Sequence, residues 1–152
     1  MRNTIISDTS ILIIFQKIGH LTLLNQVYGD ILITPEIAEE YGESLPSWIK
    51  IEKPKDIKRQ YLLETQIDAG EASAIALASD FDDVLLLLDD LKARKLANKL
   101  NYKYTGTLGI IHKAKQMSII DTVMPIINQL IETNFRISDD IIKEILTINN
   151  EL

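Results

Sequence analysis

Val84-Leu85-Leu86-Leu87-Leu88-Asp89-Asp90-Leu91-Lys92-Ala93-Arg94 is the stretch on which the fold turns. Five aliphatic residues run without a polar break and end in two carboxylates. An unalternating apolar run of this length suits a strand buried on both faces, as in a parallel sheet covered by helices. Asp89 and Asp90 then stand at the carboxyl end of that strand, where open α/β sheets bind their ligands. Two adjacent acids in a half-buried crevice repel each other and lose hydration, so a cation is needed to offset both effects. Arg94, four residues after Asp90, offers the plainer account of an intrahelical ion pair.

Working outward, the chain alternates strand and helix. Thr4-Ile5-Ile6-Ser7 reads as a buried strand with Asp8 at its carboxyl end. Asp8, Thr9 and Ser10 lead into an apolar helix, and any one of them could cap it. A short helix follows over 20–28, with His20 as a cap or surface residue. The next strand is Ile31-Leu32-Ile33, and Thr34-Pro35 opens another helix with a cap and an N1 proline. At about 100° per residue, Ile37, Ala38 and Tyr41 form that helix's buried stripe. Glu39 falls opposite the stripe and Glu40 near its edge, so Glu40 is the acid expected to face inward. Residues 42–54 read as irregular, with a short extended piece at Ile49-Lys50-Ile51. A polar helix over 55–67 has Ile57, Tyr61 and Leu62 as its apolar side.

Residues 68–78 form a helix of small side chains that allows close packing against a sheet. Glu71 shares a face with Ile75 and Ala78, so it is aimed into the protein. The helix N-terminus favours a negative charge by only ~0.3–1 kcal/mol, less than a buried carboxylate requires, and Glu71 therefore needs a partner. Beyond the opening stretch lie a strand over 101–105, a turn at Gly106-Thr107-Leu108-Gly109 and a helix over 110–116. The amides of that turn are candidates for phosphate contact. Helices over 121–133 and 138–149 form a C-terminal hairpin suited to packing or dimerisation. The alternation predicts an α/β fold with a mostly parallel sheet in a single domain over 1–152.

Composition narrows the chemistry. The chain has 152 residues, 46 % hydrophobic, with no cysteine and two histidines. Disulfides, thiolate metal sites and cysteine nucleophiles are excluded, and a histidine-rich zinc site is disfavoured. An oxygen-ligated cation, magnesium or manganese, is the metal these residues suit. The net charge of −6 argues against a nucleic-acid partner. Its distribution softens that objection: residues 91–115 hold seven basic side chains and no acid. Residues 11–15 are too short to span a bilayer, and no signal peptide is evident, so the protein is expected to be cytoplasmic.

Taken together, Asp8-Thr9-Ser10, Pro35 with Ile37 and Glu40, Gly70-Glu71-Ala72, Leu88-Asp89-Asp90 with Arg94, and Gly106-Thr107-Leu108-Gly109 resemble the PIN domain. The small prokaryotic PIN-like proteins grouped with VapC-type toxin nucleases are the nearest in kind. The resemblance implies a three-layer α/β/α sandwich and a magnesium- or manganese-dependent endoribonuclease. It also implies that Asp8, Glu40, Glu71 and Asp89, with Asp90 beside them, form the acidic site. Asp8, Glu71, Asp89 and Asp90 would be the metal ligands, and Thr9 or Ser10 would orient Asp8 or a water. Lys92, Arg94 and Lys95, with Lys99, would meet the RNA phosphates. An antitoxin protein and a second copy of the chain are the implied partners. Many PIN nucleases carry Thr-x-Asp where this chain has Leu88-Asp89-Asp90, which leaves the choice between the two aspartates open. Two other readings are a PIN-like module that binds without cutting and an aspartate-based phosphotransfer domain, which would need Lys103 at a strand end.

Overall fold

Ile5, Ile6 and Ser7 are consecutive strand residues, and all three are buried. Successive side chains of a strand point to opposite faces, so this sheet is covered on both. The computed structural model describes residues 3–152. Its strands are β1 (Thr4–Ser7), β2 (Ile31–Ile33), β3 (Ile49–Ile51), β4 (Val84–Leu87) and β5 (Lys103–Thr105). They form one all-parallel sheet in the order β3-β2-β1-β4-β5. Around it lie α1 (Thr9–Lys17), α2 (Leu21–Tyr28), α3 (Pro35–Tyr41), α4 (Ile57–Leu63), α5 (Ala69–Ala78), α6 (Leu91–Lys99), α7 (Thr107–Gln116), α8 (Met124–Glu132) and α9 (Asp139–Ile148). This is the expected α/β/α sandwich.

The strand order fixes the position of the crevice. From β1 the chain builds outward to β2 and β3, then returns to β4 on the other side of β1. Order therefore reverses between β1 and β4, and the crevice beyond their carboxyl ends is where such sheets bind ligands. Ser7 is in register with Leu87, and the Asp8 amide donates to the Leu87 carbonyl at 2.9 Å. The residues that follow these two strands, Asp8 and Leu88-Asp89-Asp90, are thus brought side by side. Leu86 and Leu87 are fully buried beneath them. Truncating either to alanine should cost ~2–5 kcal/mol through the cavity it leaves.

Helix α5 has no polar face. All its residues from Gly70 to Ala78 are buried. Their small side chains let it lie against β1 and β4 while α3, α4 and α6 pack around it. The C-terminal hairpin is tied back by Glu151, which accepts from the Val123 and Met124 amides and pairs with Lys115 at 2.7 Å. Burial works against the charged form of Glu151, but Lys115 and the two amides outweigh it and lower its pKa. Both histidines are structural: His20 meets Gln129 at 2.8 Å and His112 meets Asn149 at 2.9 Å.

Several expected elements shift. The helix over 55–67 is shorter, starting at Ile57 behind an Asp56 cap, and its face is rotated. Leu62 is 70 % exposed and Tyr61 62 %, while Gln60 and Leu63 turn inward. A seven-residue helix that touches the core along one narrow line has its phase set by that contact, not by its own periodicity. The strand over 101–105 shortens to β5, and the helix over 121–133 to α8. Gly106-Thr107-Leu108-Gly109 is not a free turn. Thr107 begins α7 and Gly106 is its N-cap.

Candidate metal centre at the sheet switch point

Asp8 caps α1, its Oδ1 accepting from the Thr9 amide at 2.7 Å, and is only 4 % exposed. Burial is the main reason its carboxyl is pushed up to about 7, with Asp68, Glu40 and Asp90 adding repulsion. Glu71, 7 % exposed on the first turn of α5, is pushed up to about 8 by burial and then by Asp8, Asp68 and Asp90. Glu40, at the exposed end of α3, is raised by burial and by Asp68, and Thr9 acts against that rise. The Thr9 hydroxyl is buried without a well-formed hydrogen bond and lies toward Glu40. Glu40 reaches the crevice because Gly70 has no side chain: a Cβ there would overlap the Glu40 carboxylate. Glu39 is exposed and is not among the groups that act on Asp8 or Glu71.

In the sequence Asp68 reads only as a helix start. It caps α5, accepting from the Glu71 amide at 3.0 Å, and its second function is to face Asp8, Glu40 and Glu71. The available signal was its spacing, because a cap residue and the acid three positions later share one helix end. Asp68, Glu71, Asp90 and Lys92 line a depression of about 300 Å³.

The paired aspartates have opposite fates. Asp90 caps α6 through the Ala93 amide at 3.0 Å and acts on both Asp8 and Glu71. Asp89 turns away. Its Oδ1 accepts from the Thr107 amide at 2.9 Å, and its Oδ2 accepts from the Thr107 hydroxyl at 2.6 Å. This corrects the expectation that Asp89 belongs to the acidic site. The physical reason lies 17 residues downstream: Gly106 has no side chain with which to cap α7, and Asp89 supplies the missing acceptor. Gly106 is required by the same contact, since a Cβ there would meet Asp89 and Arg94.

Arg94 is corrected as well. It does not pair with Asp90 and does not reach toward a substrate at the acids. Its Nε donates to the Leu88 carbonyl at 2.9 Å, its Nη2 lies 3.5 Å from Asp89, and its guanidinium covers the Tyr104 ring at 5.3 Å. It braces the turn between β4 and α6. The amide of Thr107, offered as a phosphate donor, is occupied by Asp89. Ser10 is exposed and makes no hydrogen bond to the acids among the described residues. Lys92, Lys95 and Lys99 are exposed on α6, and none forms an ion pair with another described residue.

The site therefore gathers Asp8, Glu40, Asp68, Glu71 and Asp90, with no Lys or Arg ion-paired to any of them among the described residues. The profile of a family described as the PIN domain matches residues 4–151. The chain belongs to the PIN domain family. PIN domains are generally nucleases and typically use divalent metal ions. No curated protein and no solved structure gives a significant match.

The donors of this PIN domain suit such an ion in kind and in charge. All are carboxylate oxygens, as hard cations require. Among the described residues, no three His, Cys, Asp or Glu groups are close enough as placed to hold one ion. Asp8, Asp68 and Asp90 each commit one carboxylate oxygen to a helix cap, which leaves the other for a cation. Glu40, Asp68 and Asp90 are exposed at the mouth of the crevice, while Asp8 and Glu71 are buried.

Proposed function

We propose that this crevice hydrolyses RNA phosphodiester bonds as a magnesium- or manganese-dependent endoribonuclease. One observation carries the reading: five acids gather at the switch point with no Lys or Arg ion-paired to them among the described residues, and burial pushes two of them up to about 7 and 8. A protein does not hold such a cluster without something to offset it. Asp8, Glu71 and Asp90 would hold the ion, with Asp68 beside them. A divalent ion bound there supplies a water nucleophile at neutral pH and stabilises charge on the phosphoryl oxygens. Glu40, at the rim, would take a proton from the attacking water as its oxygen bonds to phosphorus. The ester bond to the leaving ribose oxygen would break, and that oxygen would take a proton from solvent water. Lys92 and Lys95 draw the phosphate backbone toward the acids.

The same proposal includes a protein antitoxin that covers the crevice, a second copy of the chain as partner, and the cytoplasm as the compartment. No helix among the described residues is long and apolar enough to cross a membrane. Incubation of the pure protein with single-stranded RNA and manganese should yield cleavage that chelation abolishes and Asp8→Asn loses. Equal cleavage by the Asp8→Asn variant would remove the mechanism.

A second reading, a PIN domain that binds RNA or protein without cutting, is favoured by the open placement of the carboxylates. Calorimetry with manganese separates the two, because a non-cutting scaffold with an intact fold would take up no ion. The phosphotransfer reading loses its lysine. Lys103 pairs with Leu85, two residues short of the strand end that carries the acids.

A further inference from the structure

Across the turn between β4 and α6 from the acids lies a second cavity, of about 680 Å³. Its walls include Tyr104, Phe135, Arg136, Arg94 and the backbone around Gly106. The volume lies within the ~300–1,000 Å³ usual for small-ligand pockets. The polar chemistry is one-sided. Asp89 is the carboxylate on this wall, and Thr107 and Arg94 already engage it. Arg136 is exposed and forms no ion pair among the described residues. Tyr104, whose ring carries the Arg94 guanidinium on one side, is 37 % exposed, and Phe135, half-buried, lines the same cavity. Two aromatic rings and a free guanidinium are what a single-stranded nucleic acid uses, the rings for base stacking and the cation for the phosphate.

We propose that this cavity is a nucleotide slot for single-stranded RNA, in which a base stacks against Tyr104 and Phe135 while Arg136 holds its phosphate. The slot deepens the ribonuclease reading and rests on RNA being the ligand. It lies one residue from the acidic site, because Asp89 faces this cavity and Asp90 faces the acids. An RNA strand crossing the N-terminal end of α6 meets Lys92 and Lys95 on one side and Arg136 on the other. The base next to the scissile phosphate would then be held by stacking, which tolerates any sequence and excludes duplex RNA.

The test is binding without metal. In EDTA, fluorescence anisotropy with a labelled single-stranded RNA of six nucleotides should show Tyr104→Ala weakening affinity about tenfold, as loss of one base–aromatic stack does. Arg136→Ala should weaken binding several-fold and lower the salt slope by about one. Lys17→Ala, on an exposed site at the far end of α1, should bind as the wild type does. Arg136 is exposed, so its variant remains folded if the Tyr104 variant does not. Unchanged affinity in both variants overturns the slot, as does a wild type that binds duplex as well as single strands. Manganese-dependent cleavage that persists alongside unchanged binding would sink the slot alone. Binding lost in the variants of a chain that never cuts would sink the nuclease reading alone.

Discussion

Asp89 and Asp90 share a peptide bond, yet they belong to regions that solve opposite problems. On the Asp89 side the carboxylate is answered: the amide and hydroxyl of Thr107 and the Arg94 guanidinium enclose it. On the Asp90 side no described cation answers five acids, and two of them are held well above the ordinary carboxylate range. The first arrangement is how a protein stabilises a partly buried charge. The second is destabilising by itself, and it makes sense only where another charge arrives. The difference teaches that proximity in sequence says little about role. A carboxylate with all its acceptors filled is a strut, whereas one left in mutual repulsion marks the site.

The largest expected effect separates the two aspartates directly. Asp90→Asn should lower manganese-dependent RNA cleavage by more than the ~10–100-fold that loss of a merely supporting residue causes. Asp89→Asn should retain most of the activity and lose stability instead. Hydrogen bonds to a charged group are worth ~1.5–3 kcal/mol, and each kcal/mol shifts the melting temperature by ~2–4 °C in a domain of this size. Cleavage assays and thermal melts on the two variants read both halves. A variant pair with the effects exchanged would break the comparison.

A smaller effect concerns pH. Asp8 and Glu71 titrate near 7 and near 8 in the metal-free fold, against about 4 in an unfolded chain. Between those limits the folded state holds protons that the unfolded state has released. Metal-free stability therefore falls as pH rises from about 4 through about 8. Melts in EDTA should show the midpoint dropping by several degrees across that window, and Asp8→Asn should flatten the drop. Manganese should restore more stability at pH 8 than at pH 5, since it binds the deprotonated acids. A midpoint that rises with pH in EDTA would contradict the unpaired state of these carboxylates.

Much of this was legible in the sequence, for definite reasons. The parallel sheet was readable because buried strands such as 84–88 are continuously apolar. The inward placement of Asp8 and Glu71 was readable because one ends a strand and the other shares a helix face with Ile75 and Ala78. Glu40 over Glu39 was readable from the phase of α3. The division of labour between Asp89 and Asp90 was not, because it depends on Gly106 leaving α7 uncapped far downstream. Asp68 was hidden by its capping role, which fully accounts for an aspartate at a helix start. Neither reading of Arg94, as a phosphate contact or as an ion pair with Asp90, foresees its partners, because the Leu88 carbonyl and Asp89 that hold it are brought to it by the turn between β4 and α6. The exposed side of α4 was misread because so short a helix carries too few residues to define its own face.

Titration calorimetry of manganese into the wild type, Asp90→Asn and Asp89→Asn decides whether the unpaired acids, and not the strut, hold the ion. The wild type should bind, Asp89→Asn should bind almost equally, and Asp90→Asn should lose binding with the fold retained. Binding that survives Asp90→Asn but disappears in Asp89→Asn, or no uptake by the wild type at pH 8, would contradict this.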